Sequence, residues 1–252
     1  MITQEQVENF QKDGYIEVPE MLSHERLEQL REEAHAVLKN PKTERSSAAE
    51  YLQDQYATNW GVFSEHLWLD EEALGGAILF IRENPWAREV ATALLGAPAR
   101  ATKVSMQVMY PRCGCKQPWH QDHTPNDPNL WWINCMYYLD DMSVENGSLM
   151  VIPGSHRTVL NAKMQDYGPV PNSVRLTPRA GSAVFFFGQI LHAADEHRGE
   201  RPRLGIKTHY SLPHIDPLAA RHEQRYSRGV RRNNLPVLNH DNGKDSYWFP
   251  NT

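Results

Sequence analysis

Trp119-His120-Gln121-Asp122 is the segment of this chain whose residue types and spacing could do chemistry. In an extended strand, side chains at i and i+2 point to one side, so His120 and Asp122 can share a metal ion while Gln121 faces away. A lone His-x-Asp is weak, because 12 histidines and 12 aspartates in 252 residues supply about 0.6 such pairs by chance. A second pair does occur, at His214-Ile215-Asp216. The residues downstream of each pair separate the two. Seventy residues beyond Asp122 the apolar run Phe185-Phe186-Phe187-Gly188-Gln189-Ile190-Leu191 ends in His192, and Arg203 comes eleven residues later, opening Arg203-Leu204-Gly205-Ile206-Lys207. If the charged connection Ala193–Pro202 is a hairpin, it returns Arg203 on a strand beside His192, with neighbouring strands about 4.8 Å apart. The other pair is flanked by Pro213 and Pro217, which suits a turn, and only His222 and His240 lie beyond it.

Two histidines and one carboxylate on one face of an iron ion leave three coordination positions open. A 2-oxo acid can fill two and O2 the third, and the rigid fork of Arg203 can hold the far carboxylate of a dicarboxylic 2-oxo acid. Taken singly, His192 reads as a structural histidine and Arg203 as a surface ion pair. The order His-x-Asp, long gap, strand-borne His, then Arg carries the joint reading. Two rivals use the same residues: a zinc hydrolase on the triad, and a non-catalytic barrel that binds a small ligand. Arg203 argues against both, since a hydrolase needs no fixed cation near its metal and a degenerate barrel has no reason to hold the whole set. Val104, Val108, Phe185 and Phe187 are expected to form the apolar walls around the site.

The elements that must position these residues change character along the chain. Thr3 with Gln6 forms a capping-box signature for a first helix that Gly14 stops. Tyr15–Val18 alternates like a strand, and Ser23 caps a helix with Leu27, Leu30, Ala34, Val37 and Leu38 at helical spacing. Residues 43–66 read as an ordered, lid-like loop, followed by helical stretches near 70–83 and 86–95. From residue 99 the pattern becomes strand-like, in runs at 104–110, 131–139, 148–152, 182–187 and 203–211, broken by Pro, Gly, Asn and Asp turns. Many short strands without intervening helices predict an antiparallel sandwich or barrel, so the class is α+β. The expected layout is one domain: 1–98 mainly helical, 99–211 the β core, and 212–252 a basic tail.

About 40% hydrophobic residues exclude wholesale disorder, and a net charge of −5 speaks against nucleic-acid affinity. Three cysteines argue against a disulfide scaffold and for a reducing compartment. No secretory leader and no membrane-length apolar run is present, so the reading is a soluble, cytoplasmic protein with no membrane or nucleic-acid partner. Residues 201–252 nevertheless carry nine Lys and Arg against four Asp and Glu, the excess lying in Arg221, Arg225, Arg228, Arg231 and Arg232.

The chain resembles the phytanoyl-CoA dioxygenase (PhyH-type) branch of the Fe(II)/2-oxoglutarate oxygenases, from Asp13-Gly14-Tyr15 to about residue 211. The likeness is carried by Trp119-His120-Gln121-Asp122, by Glu145-Asn146-Gly147-Ser148-Leu149 with Ile152-Pro153-Gly154-Ser155-His156, and by His192 with Arg203. It implies a double-stranded β-helix (jelly-roll, cupin-like) core with the N-terminal helices packed outside. It implies iron held by His120, Asp122 and His192, and Arg203 on the distal carboxylate of the cosubstrate 2-oxoglutarate, with Gln107 a further cosubstrate contact. O2 is the third reactant. Asp122 implies hydroxylation rather than halogenation, because related halogenases lack the carboxylate. Family members act on fatty acyl thioesters, amino acids, osmolytes and secondary metabolites; for this chain a small-molecule natural product or amino-acid derivative is the expected substrate, met by residues of 43–66, His123–Trp131 and the Arg-rich tail.

The remaining features have bland readings. Cys113-Gly114-Cys115 lacks a second cysteine pair and reads as a turn. His123 reads as a loop residue, one of Trp131 and Trp132 as core, and Arg201, before Pro202, as a turn residue rather than a rival to Arg203.

Overall fold

Thr3 opens α1 (Gln4–Asp13) with the anticipated capping box: its hydroxyl accepts the Gln6 N–H at 3.2 Å, and the Gln6 side chain accepts the Thr3 N–H at 2.8 Å. Two donors that helix geometry leaves unpaired are thereby satisfied. Gly14 ends the helix at φ 87, a left-handed conformation that costs glycine little, and β1 (Tyr15–Val18) follows at once. Ser23 caps α2 (His24–Leu38), which buries Leu27, Leu30, Ala34 and Val37. The computed structural model describes residues 2–39, 66–70, 74–109, 111, 117–122, 132–158 and 168–213.

Beyond residue 65 the chain departs from the expected helix near 70. Residues His66–Asp70 form β2, and among the described residues helix follows at α3 (Gly76–Phe80), then a 3-10 turn and α4 (Pro85–Leu95). The reason is tertiary: β2 pairs antiparallel with residues 105–109, covering an edge whose N–H and C=O groups would otherwise lack partners. The core strands are β3 (Arg100–Met109), β4 (Gln117–His120), β5 (Ile133–Tyr138), β6 (Leu149–Val151), β7 (Val174–Arg175), β8 (Ala183–Phe187), β9 (His192–Ala194) and β10 (Arg203–Ser211). They form a six-stranded sheet in the order β1-β8-β5-β10-β3-β2 and a four-stranded sheet in the order β4-β9-β6-β7, with every pairing antiparallel. Strands distant in sequence pair and, apart from the β6–β7 pair, the chain from β3 to β10 alternates between sheets, which is the double-stranded β-helix of the α+β class.

The six-stranded sheet has two different faces. Cys135, Tyr137, Phe185, Phe187, Leu204 and Ile206 join the cluster formed with α1, α2, α3 and α4. Phe10 of α1 packs on Phe187 with ring centroids 4.5 Å apart, and Arg31 of α2 donates to the Leu139 carbonyl at 2.7 Å. The alternate residues Met136, Tyr138, Val184 and Phe186 lie on the opposite face in a second cluster. Val104, Val108, Phe185 and Phe187, expected as walls of the site, therefore pack against the helices instead. Strand alternation permits only one of the two sets to face the site, and the more continuously apolar set covers the helices.

The chain divides into a unit Met1–Pro217, which holds every element above, and a unit Leu218–Thr252, outside the described residues. Most of the loop 43–66, the segment His123–Trp131, Cys113-Gly114-Cys115, His214-Ile215-Asp216 and the tail arginines also lie outside them. Among the described residues no helix is long and apolar enough to cross a membrane.

Candidate active site

Antiparallel pairing of β4 with β9 sets His120 directly opposite His192, closing a gap of 72 residues. The two rings lie 4.2 Å apart. Asp122 follows β4 with its side chain on the same side, and one donor atom from each of His120, Asp122 and His192 lies within 4.8 Å of the other two. Gln121 points the opposite way and is buried, donating to the carbonyls of Thr158 at 2.7 Å and Gln189 at 2.6 Å. That side chain ties the segment carrying two of the candidate ligands to the turn that precedes the third.

Both imidazoles are oriented alike. His120 Nδ1 lies 2.7 Å from the Pro118 carbonyl and His192 Nδ1 lies 2.9 Å from the Ile190 carbonyl. A carbonyl oxygen only accepts, so each Nδ1 carries the proton and each Nε2 presents a lone pair. Burial pushes His120 down to about 3, with the neighbouring His192 adding to the effect, and burial lowers His192 as well. Both rings are therefore neutral near pH 7, the form that binds a metal. Two such rings and a carboxylate suit a divalent ion such as iron.

The family-like stretches support these groups from outside. Ser155 accepts the Leu191 N–H at 2.8 Å, and the Ile152 N–H donates to the Leu191 carbonyl at 3.0 Å, fixing the backbone before His192. Gly147 sits at φ 74, where a Cβ would come within 2.6 Å of Met109 Cε. Met109 Sδ in turn touches Arg203 Nη2. Any side chain at 147 would displace the packing around the guanidinium.

Arg203 is 4% exposed and donates to Gln107 Oε1 at 3.0 Å. It does not return on a hairpin beside His192. Residues 195–202 cross from the four-stranded to the six-stranded sheet, where β10 pairs with β3 and β5. In a jelly roll successive strands change sheets, so Arg203 meets His192 across a cavity rather than along a ladder. That cavity, about 430 Å3 including its open mouth, is lined by His120, Asp122, His192, Gln107, Arg203 and Lys207, with Met136, Tyr138, Leu149, Phe186 and Ala194 as apolar wall. A buried guanidinium facing a metal-ligand set across an apolar gap fits a dicarboxylate that bridges the two. Arg201, by contrast, is exposed, and its carbonyl accepts from His197 Nε2 at 2.7 Å.

Sequence reasoning passed over Lys207 and Asn134. Lys207 Nζ lies 3.7 Å from Asp122 Oδ2, and Asn134 Nδ2 donates to the same oxygen at 2.7 Å. A signal for Lys207 existed: four residues after Arg203 on a strand, it must share that residue's face. Asn134 had none, since it meets Asp122 only where the two sheets face each other.

A jelly roll that brings two neutral imidazoles and a carboxylate together opposite a buried arginine defines a mononuclear metal enzyme of the oxygenase class. The model of the phytanoyl-CoA dioxygenase (PhyH) family matches residues 10–205, and the chain belongs to that family. It is accordingly an enzyme, a dioxygenase dependent on Fe(II) and 2-oxoglutarate. Among curated relatives, an ectoine dioxygenase of Bordetella parapertussis (strain 12822 / ATCC BAA-587 / NCTC 13253) is 24% identical over 81% of this chain and 74% of its own. An L-proline trans-4-hydroxylase of Streptomyces griseoviridis is 27% identical over 59% of this chain and 67% of its own. Among solved structures, the non-heme alpha ketoglutarate dependent epimerase SnoN from nogalamycin biosynthesis superposes with a TM-score of 0.65 at 20% identity, covering 82% of each chain. HygX from Streptomyces hygroscopicus, with nickel, 2-oxoglutarate and hygromycin B bound, gives 0.61 at 16% identity over 84% of this chain and 88% of its own.

Proposed function

We propose that this enzyme hydroxylates an unactivated C–H bond of a small metabolite, a natural product or an amino-acid derivative, with iron held by His120, Asp122 and His192. The observation that carries the assignment is the meeting of three metal-donor atoms within 4.8 Å in a cavity that Arg203 also lines. Iron bound there, with 2-oxoglutarate and O2, would supply the oxidising power that a C–H bond requires and that no side chain has.

The chain's own residues do the rest. The carbonyls of Pro118 and Ile190 hold the imidazole protons on Nδ1, so both Nε2 atoms point inward without rearrangement. Arg203 takes the distal carboxylate of 2-oxoglutarate, and Gln107, accepting from one arm of the fork, holds the guanidinium in its plane. Met136, Tyr138, Leu149, Phe186 and Ala194 keep water from the reacting centre, so the oxidant meets the bound molecule. The substrate class draws support from the relatives, whose names speak of ectoine and L-proline, and from similar folds solved with nogalamycin RO and hygromycin B.

The purified protein, given Fe(II), ascorbate, 2-oxoglutarate and O2, should form succinate slowly without substrate and faster with members of a panel of amino-acid derivatives and natural products. Absence of succinate and O2 consumption, together with no 2-oxoglutarate binding by calorimetry, would return the non-catalytic barrel as the better account.

A further inference from the structure

Asp122 is held from behind. Its Oδ1 lies 3.9 Å from His120 Nε2, on the side where the metal donors converge. Its Oδ2 accepts from Asn134 at 2.7 Å and faces the Lys207 ammonium at 3.7 Å. Asn134 on β5 is fully buried, and Lys207 stands on the neighbouring strand β10 among the residues that line the cavity. An ionised carboxylate only accepts, so the Asn134 amide has to turn its NH2 toward it. That orientation leaves Asn134 Oδ1 buried with no hydrogen-bond partner among the described residues, a cost that the contact to Asp122 has to offset.

We infer that Asn134 and Lys207 are positioning residues that keep Asp122 a one-oxygen ligand, an inference resting on Asp122 as a metal ligand. A carboxylate can bind a metal through one oxygen or two. With both imidazoles and one carboxylate oxygen bound, a six-coordinate ion keeps three positions, two for 2-oxoglutarate and one for O2. A second carboxylate oxygen would take one of the three. Turning Oδ2 inward would break the Asn134 bond and move the carboxylate oxygen away from the Lys207 ammonium. Lys207 adds a direction as well: a divalent ion and an ammonium repel each other, so they sort onto opposite oxygens of the same carboxylate.

The test uses the full chain under anaerobic conditions, with Co(II) as the metal probe. Asn134→Leu matches the size of the amide and removes the donor, while Lys207→Met removes the charge and Lys207→Arg keeps it. Co(II) affinity should stay within about threefold of wild type in Asn134→Leu, because a carboxylate free to offer two oxygens still binds. The Kd of 2-oxoglutarate for the Co(II)-loaded protein should rise by about tenfold or more, because a second carboxylate oxygen competes for a position that the cosubstrate needs. The visible charge-transfer band of the Fe(II)–2-oxoglutarate complex should weaken in parallel. Lys207→Met should follow the same pattern and Lys207→Arg should restore it, which keeps the inference testable if Asn134→Leu does not fold. Unchanged 2-oxoglutarate affinity and an unchanged band in both donor-removing variants would overturn the clamp, as would loss of Co(II) matching that of Asp122→Ala. If wild-type protein binds neither Co(II) nor 2-oxoglutarate, it is the metal-site assignment that fails, and the clamp with it.

Discussion

The two faces of the six-stranded sheet are built from the same strands and do opposite work. On β5, Cys135 and Tyr137 turn toward the helices while Asn134 reaches Asp122 and Met136 and Tyr138 line the cavity. On β10, Leu204 and Ile206 are core, whereas Arg203 and Lys207 line the cavity. Among the described residues the helix face of β5, β8 and β10 is mainly apolar; its polar groups include Cys135, Thr208 and the hydroxyls of Tyr137 and Tyr210, which lie 3.5 Å apart, and burial pushes the ionisation of Cys135 and the two tyrosines up. The cavity face holds fixed cations, each against an acceptor: Arg203 on Gln107, Lys207 on Asp122. A buried charge is tolerable only where a partner or ligand compensates it, so the chemistry collects on one face and the stability on the other.

Substitutions on the two faces should therefore separate binding from stability. The largest effect is expected for Asp122→Ala, which removes one of the three proposed metal ligands. Turnover should vanish and Co(II) affinity should fall by at least about a hundredfold, beyond the range for residues that merely support ligands. The melting temperature should change little, since apolar strand faces hold the fold. A variant that keeps its metal would move the site elsewhere.

Phe185→Ala, on the helix face, should cost about 3–5 kcal/mol of stability in urea unfolding. The folded fraction should bind 2-oxoglutarate with wild-type affinity. Phe186→Ala, one residue on and 5.1 Å from the His192 ring, should weaken cosubstrate binding as well. Identical binding profiles for the two variants would mean that the faces are not independent.

Arg203→Ala should weaken 2-oxoglutarate binding by about 2–5 kcal/mol, the range for truncating one partner of a buried charge pair. Arg201→Ala, exposed in the crossover, should leave calorimetric affinity within about twofold, and a reversed ranking would refute the assignment of Arg203.

The smallest effect concerns pH. Unfolded imidazoles titrate near 6.5, whereas burial holds His120 down at about 3 and lowers His192 too. The folded state then binds fewer protons than the unfolded state below pH 6.5. Stability of the metal-free protein is full above that value and is lost as pH falls toward about 3. Metal binding, which needs neutral rings, should weaken by less than about tenfold in Co(II) Kd between pH 7.5 and 5.5, because His120 stays neutral throughout and His192 titrates below its ordinary value. Two ordinary imidazoles would weaken it roughly a hundredfold over that interval, and calorimetry distinguishes the two.

Much of the site was legible in the residues. The i, i+2 spacing of His120 and Asp122, the apolar strand ending in His192 and the arginine opening the next strand are local patterns, and local patterns survive translation into structure. The caps at Thr3 and Ser23 and the strand runs after residue 99 were equally plain, because each depends on neighbours in the chain. Strand β2 was not, since its pairing with β3 is a contact between segments some forty residues apart.

The sequence by itself determined which side chains could hold a metal and a dicarboxylate, because residue type and strand parity are properties of a short segment. It did not determine which face of each strand would line the cavity. Both alternating sets of β8 are apolar, and only packing against α1 sent Phe187 to the helices and left Phe186 beside His192. Nor could it show that Arg203 faces His192 from the opposite sheet, or that Asn134 and Lys207 converge on one oxygen of Asp122. Those meetings depend on the register of strands far apart in the chain, which is set only when two sheets close on each other and bury one face of each.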